Sequence, residues 1–583
     1  MTTVWSALNV NNSPMPRRRQ NRNCTILLSS VFGPFAQDDD FGSRTLNPME
    51  LYHNQVTRTQ GAFSLRMFHR SWGLMMIQSN ITAPCAVLDF PSLERFAEEV
   101  STGRYDVIGI TSIVSNWMKV RKMCEVVRAK APRATIVVGG HVANIPDLAE
   151  RIDADHIVRG EGVRWFREFL GENVERPLWH PLIKSGLGAR CMGLAVRDRP
   201  GDVAATVIPS VGCPLGCNFC STSAMFGGKG RFVDFYSSGD ELFEIMRQLA
   251  QAMQVRSFFI MDENFLLHRK RAMRLLELME EHDKSWSLYV FSSANVLSSY
   301  RREDLVRLGV SWVWMGLEGE ASQYAKLRGI DTRALVKDLQ SHGIRVLGSS
   351  IIGLEEHTLE NIDQAIDFAV AHDTDFHQFM LYTPIPGTPL HSTLKAQGRI
   401  KSDQEIHPGD VHGQALFNYR HPHLPDGSEA DLVLRAFTRD FEVNGPSVAR
   451  IARTTLQGWN RYCDHVDSRV RDRYLWEGRE LATTYAAAAG ASRAHLRENK
   501  TVEHRLDALL SDLHAAFGWK SRLASSIGGR FVLRALRREE SRLARGWTME
   551  PPTYFEVNDA LANQMASLGE RCVTVSQCVG ATP

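Results

Sequence analysis

Three cysteines stand at Cys213-Pro-Leu-Gly-Cys217-Asn-Phe-Cys220, a C-x3-C-x2-C spacing. Thiolates this close along the chain can wrap one cubane iron–sulfur cluster and ligate three of its four irons, since such clusters are held by cysteine sulfur. The fourth iron, without a protein ligand, is then an open site for a small molecule. Structural zinc asks for four ligands, commonly in two separated pairs, and no matching second pair occurs nearby. The other seven cysteines (Cys24, Cys85, Cys124, Cys191, Cys463, Cys572 and Cys578) lack ligand-like spacing and read as small apolar core residues or free thiols. The motif predicts a [4Fe–4S] site with Cys213, Cys217 and Cys220 as ligands.

Such a loop needs a rigid base, and the flanking sequence supplies one. Apolar runs at Ala205–Pro209, Ser257–Met261, Ser287–Phe291, Trp312–Gly316, Val346–Ile352 and Gln378–Tyr382 alternate with helical patterns over residues 205–400. Six β/α units are too few for the closed eight-unit barrel and predict an open (β/α)6 barrel. The cysteines follow its first strand. Polar residues fall at the later strand ends: Asp262-Glu263-Asn264 after the second, Ser292-Ser293 after the third, and Glu318 after the fourth.

Residues 24–180 form an earlier α/β series, with strands expected at Cys24–Ser30, Cys85–Asp89, Asp106–Thr111, Ala134–Gly139 and His156–Val158. Short apolar strands separated by helices predict a parallel, doubly wound, Rossmann-like sheet. The long first connection, residues 32–82, is expected to carry extra helix. Small residues at neighbouring strand ends (Ser112, Ser115 and Asn116; Gly139, Gly140 and His141) open a crevice suited to a broad planar ligand. Gly160-Glu161-Gly162 then makes a tight turn into a helix. Residues 181–204, rich in Pro and Gly, read as a linker.

Cys-x3-Cys-x2-Cys with the aromatic Phe219 before the last cysteine, opening six β/α units, resembles the radical S-adenosylmethionine (SAM) superfamily. The resemblance implies that the open iron chelates SAM and that the reduced cluster cleaves it to methionine and a 5′-deoxyadenosyl radical. It places SAM contacts at Phe219, Asp262, Glu263, Asn264, Ser292, Ser293 and Glu318, although Asp-Glu-Asn stands here in place of the family's Gly-Gly-Glu. Gly348–Glu356 and Tyr382–Pro389 also look like this family's fifth and sixth strand ends. The preceding α/β series resembles the cobalamin-binding domain of B12-dependent members, with cobalamin contacts at Ser112, Ser115, Asn116, Gly139, Gly140, His141, Gly160, Glu161 and Gly162. The Asp-x-His-x-x-Gly string is absent, which implies cobalamin without a histidine axial ligand. Methylation of an unactivated carbon is the implied reaction, with methylcobalamin delivering the methyl group and a second SAM replacing it. The implied partners are a small-molecule or lipid substrate and an external electron donor of the flavodoxin or ferredoxin type. The same cofactors can also drive cyclisation, rearrangement or carbon–carbon coupling, and a cobalamin-binding sensor would need the first domain alone.

Bulk properties set the frame. At 583 residues the chain exceeds one core, and its net charge of +2 gives no case for a nucleic-acid partner. No apolar run is long enough to span a membrane, so a cytoplasmic location is expected. Residues 1–23, rich in Asn, Pro and Arg, read as a disordered tail. Residues 401–583 read as a helical domain that opens with a His-rich loop (His407, His412, His421 and His423). Between Gly518 and Trp547 eight basic residues face two acidic ones, interleaved with Trp and Leu, a pattern compatible with peripheral membrane contact or with ordinary packing.

Overall fold

The computed structural model describes residues 24–35, 39–42, 52–196, 198–319, 324, 326–567 and 576–580. The expected tail over residues 1–23 and Cys572 lie outside the described residues.

The first sheet holds β1 (Ile26–Ser30), β2 (Cys85–Asp89), β3 (Val107–Thr111), β4 (Thr135–Gly139) and β5 (His156–Ile157), all parallel in the order 2-1-3-4-5. Ile26, Leu27 and Leu28 are fully buried, alternating between apolar clusters on the two faces. A strand covered on both sides gains no signal from polar alternation, so it reads as a continuous apolar run. The chain leaves β1 for β2 on one side and then crosses to β3 on the other. That reversal leaves a crevice above the carboxyl ends of β1 and β3, where open α/β sheets bind ligands.

The second sheet runs β6 (Ala204–Val207), β7 (Ser257–Ile260), β8 (Ser287–Phe291), β9 (Val310–Glu318), β10 (Arg345–Ile352) and β11 (Phe376–Leu381), parallel and in sequential order. Antiparallel Lys184–Ser185 occupies the outer edge of β6, so the six strands do not close on themselves. Helices such as Gly239–Met253 pack outside; that helix starts at a capping box in which Ser238 and Glu241 satisfy each other's backbone N–H. Leu288, Val290, Val313, Met315 and Val346 are fully buried between sheet and helices, each contributing about 1.5–3 kcal/mol by removal from water.

Two segments differ from expectation. Residues 181–204 are more than a linker: Leu187–Cys191 pairs with Arg66–Phe68 and with Leu194–Ala195. These strands are two to five residues long, too short to show alternation. The helical C-terminal region, from Glu429–Asn444 through Gly529–Leu543, ends by sending β12 (Tyr554–Val557) back to pair antiparallel with β2. Arg70 clamps that junction, bonding Asp89 of β2 and Glu556 of β12. Helix Trp72–Asn80 supplies the extra helix in the long first connection. In the His-rich loop, His407 accepts the Gly409 N–H, and His421 accepts those of His423 and Leu424.

Candidate functional site

Directly after β6 the chain makes a two-residue β contact, Ser210–Val211 with Val233–Asp234, and enters the cysteine loop. Gly216 has φ +70, and a Cβ there would meet the Lys229 backbone and Cβ at 2.5–2.9 Å, so glycine alone lets the loop close between Cys213 and Cys217. The Cys220 Sγ accepts the Ser223 N–H at 3.4 Å and caps helix Ser221–Met225. Ser223 Oγ donates to the Cys213 carbonyl, and Cys220 N–H to that of Cys217. Burial pushes the Cys213 thiol up to about 11 and raises Cys217 and Cys220 as well, while the Lys326 charge opposes the rise at Cys217. Electropositive iron is the partner that would reverse those shifts, because it ligates the thiolate. Among the described residues no three His, Cys, Asp or Glu gather around a point as one ion would need; a cubane presents its irons at separate corners, so its thiolates need not converge.

The strand-end residues divide into anchored and open groups. The Asp262 carboxylate is fully engaged: it pairs with Arg271, accepts from Ser210 Oγ at 2.7 Å and from the Asn264 N–H at 3.0 Å. Asn264 Oδ1 accepts from Ser292 Oγ and the Ser293 N–H, and Asn264 Nδ2 donates to Ser293 Oγ, joining the ends of β7 and β8. Glu263 is different. Its carboxyl accepts the Gly212 N–H beside the cysteine loop, and burial pushes it up to about 7. Its Oε2 is buried with no hydrogen-bond partner, and such an atom normally has one. Glu318 lies at φ +52, where the register with β10 shifts, and pairs with Lys326. Lys326 also sits 5.8 Å over the Phe219 ring. Phe219 stacks edge-on with Tyr324 and Tyr382, closing an aromatic wall beside the cysteines.

Sequence reasoning missed Lys326, Tyr324 and Arg271. They lie in a loop and at a helix start, and no local spacing ties them to a strand end.

In the first domain β3 leads into Ser112 and the turn Val114–Asn116, and β4 into Gly139-Gly140 and the turn His141–Asn144. Ser112 Oγ, Ser115 Oγ and Asn144 Oδ1 are buried without partners. A Cβ on Gly160 would meet nothing within 4 Å, and one on Gly139 would come no closer than 3.8 Å to anything. Orphaned hydroxyls beside open glycine backbone fit a large polar-edged ligand in this crevice. Glu161 instead caps helix Gly162–Phe169, accepting the Val163 and Arg164 N–H groups. Asn116 is buried under the crevice. His141, held neutral by burial, meets Thr222 Oγ1 at 3.2 Å, and Asn144 Nδ2 donates to the Ser221 carbonyl at 3.1 Å. Two glycine-lined strand ends of one sheet therefore face the cysteine-capped helix of the other.

The fold and this site define a two-sheet α/β protein in which a three-thiolate loop abuts a doubly wound domain's ligand crevice. Residues 207–369 match the model of the radical SAM superfamily, and residues 64–170 that of the B12 binding domain. Bacteriochlorophyllide d C-8(2)-methyltransferase of Chlorobaculum tepidum is 25% identical over 57% of this chain and 77% of its own length. The anaerobic magnesium-protoporphyrin IX monomethyl ester cyclase of Rubrivivax gelatinosus is 24% identical over 52% and 61% respectively. A solved radical SAM methyltransferase, TsrM of Kitasatospora setae, covers 79% of this chain and 99% of its own at 16% identity and TM-score 0.49. The chain therefore resembles B12-dependent radical SAM proteins in two successive stretches, a B12-binding one followed by a radical SAM one.

Proposed function

We propose that the protein methylates an unactivated carbon of a lipid or secondary metabolite. One observation carries the reading: the cysteine-capped helix Ser221–Met225 is hydrogen-bonded to the crevice turn His141–Asn144, so groups held at the two places serve one substrate. Bound there, the cluster and SAM supply a hydrogen-abstracting radical and cobalamin supplies a methyl group.

The chain's residues hold and shield these groups. Cys213, Cys217 and Cys220 would hold the cluster. The unpartnered Glu263 Oε2 would accept from the SAM ammonium, and the Lys326–Glu318 pair with Phe219 would border its other end. The Asn264–Ser292–Ser293 network would present a preformed polar edge to the ribose. Ser112, Ser115, Gly139 and Gly160 would take the cobalamin edge, while neutral His141 is engaged with Thr222. Asp262, locked by Arg271, orients this shelf and does not touch SAM. The electron comes from an external flavodoxin- or ferredoxin-type donor, in the cytoplasm, where free thiols persist. No helix among the described residues is long and apolar enough to cross a membrane.

The test is anaerobic turnover of cobalamin-supplied protein on extracts from cells lacking the gene. Near-equal 5′-deoxyadenosine and S-adenosylhomocysteine, with a product heavier by one methylene, is the expected result. The likeness to a ring cyclase favours a second reading, for which 5′-deoxyadenosine forms with little S-adenosylhomocysteine and the product keeps its carbon count.

A further inference from the structure

Helix Trp519–Leu523, the π turn Ala524–Gly528 and helix Gly529–Leu543 run as one rod along the C-terminal domain. Its inner face is small and buried: Gly529, Val532 and Leu536 lie against the alanine-rich helix Ala486–His495, and Ser521 Oγ donates to the Leu513 carbonyl of helix Lys500–Phe517. On the outer face Trp519, Leu523, Ile527 and Phe531 are 70, 49, 64 and 67% exposed, among the largest exposures of big apolar side chains in the described protein. A four-residue spacing drifts by about 40° per step around an α-helix. The wider winding of the π turn between them reduces that drift, so the four share one stripe. Exposed, contiguous apolar side chains of this size mark a binding surface rather than ordinary solvent contact.

Charge says what the surface meets. Lys520, Arg522, Arg530, Arg534, Arg537, Arg538 and Arg545 are exposed around the stripe. Of the two acidic residues of the rod, Glu539 is buried against Arg190, while Glu540 is partly exposed beside His495. Phe531 also borders an open cleft of roughly 620 Å3 rimmed by Arg190, Arg537, Arg538, Arg542 and Arg545. An apolar stripe in a strongly basic field, seven exposed cations against one partly exposed carboxylate, beside an arginine-rich cleft of headgroup size, matches a leaflet of anionic phospholipid. The stripe would enter the acyl boundary and the arginines would engage phosphates.

We infer that this rod docks the protein peripherally on anionic phospholipid membranes. The inference stands apart from the methylation reading and does not need a lipid substrate.

The experiment is co-sedimentation of the full chain with vesicles of phosphatidylcholine alone and of phosphatidylcholine mixed with phosphatidylglycerol. Binding to the mixed vesicles, weakened by salt, is expected, with little on phosphatidylcholine alone. The exposed double variant Trp519→Ser/Phe531→Ser and the charge variant Arg534→Glu/Arg537→Glu/Arg538→Glu should each lose roughly tenfold or more in partition. Both should keep the wild-type unfolding temperature and SAM cleavage in solution. Equal binding by either variant, or no binding by the wild type, overturns the proposal. So does a wild-type dimer that these variants dissociate without vesicles, which would assign the stripe to a second copy of the chain.

Discussion

Gly139 and Gly140 are neighbours with opposite tolerance for a side chain. A Cβ on Gly140, at φ +82, would lie 2.6 Å from the Ser112 carbonyl and from Thr111 Oγ1. Gly140→Ala should therefore cost roughly 2–4 kcal/mol of stability by strain and overpacking, whatever it does to ligands. Gly139 has open space, so Gly139→Leu should keep the unfolding temperature yet expel cobalamin, read as cobalt per chain. Retention of cobalt by a folded Gly139→Leu protein would move the corrin elsewhere. At the cysteines, Cys213→Ala, Cys217→Ala or Cys220→Ala should each remove iron–sulfur absorbance and SAM cleavage; Cys463→Ala, whose thiol lies outside the site, should remove neither. The cysteine loop was legible because its spacing is local. Lys326 was not, because it reaches Glu318 and Phe219 through tertiary folding, and the pairing of Asp262 with Arg271 was hidden for the same reason.

At the scale of elements, the strand runs stood out because buried parallel strands are uninterrupted in apolar residues, and the helices because their apolar faces recur with the helical period. The pieces between Trp179 and Ala195 stayed hidden, being shorter than any period. One of them controls the start of the cysteine segment. His180, fully buried on strand Trp179–Pro181, accepts the Ile208 N–H at Nε2 and donates from Nδ1 to the Pro181 carbonyl, bonds that a neutral ring makes. Burial lowers its pKa from 6.5 to about 4. A histidine depressed on folding contributes stability that is complete above pH 6.5 and is lost as pH falls through about 4, here up to about 3 kcal/mol. His180→Gln can keep both bonds without titrating. Its urea midpoint should change less than that of the wild type between pH 6.5 and 4, and parallel curves would remove His180 from the account.

At the scale of the whole molecule, the doubly wound sheet and the open barrel followed from the order of apolar runs, whereas the return of β12 to β2 did not. Nothing in four residues of sequence says which edge they will join. Asp89, Arg70 and Glu556 fix that choice by a charged clamp. Removing residues 548–583 should bare the β2 edge and the apolar patch that Val557 and Leu561 cover. A loss of roughly 3–6 kcal/mol follows from those two side chains alone, with self-association visible by size-exclusion chromatography. A truncated protein that stays monomeric with an unchanged midpoint would show that the edge is protected by other means.

The same strand sets a clock on biosynthesis. The B12-binding sheet leaves the ribosome early, but its outer strand is encoded more than 450 residues later than the partner it covers. At ordinary elongation rates that interval is about 25–90 s. For that time the nascent sheet presents a row of free N–H and carbonyl groups from Cys85 to Asp89, open to any passing strand. Slower translation, or a shortage of chaperones that shield nascent chains, should therefore lower the yield of soluble protein through this edge, before any cofactor is involved.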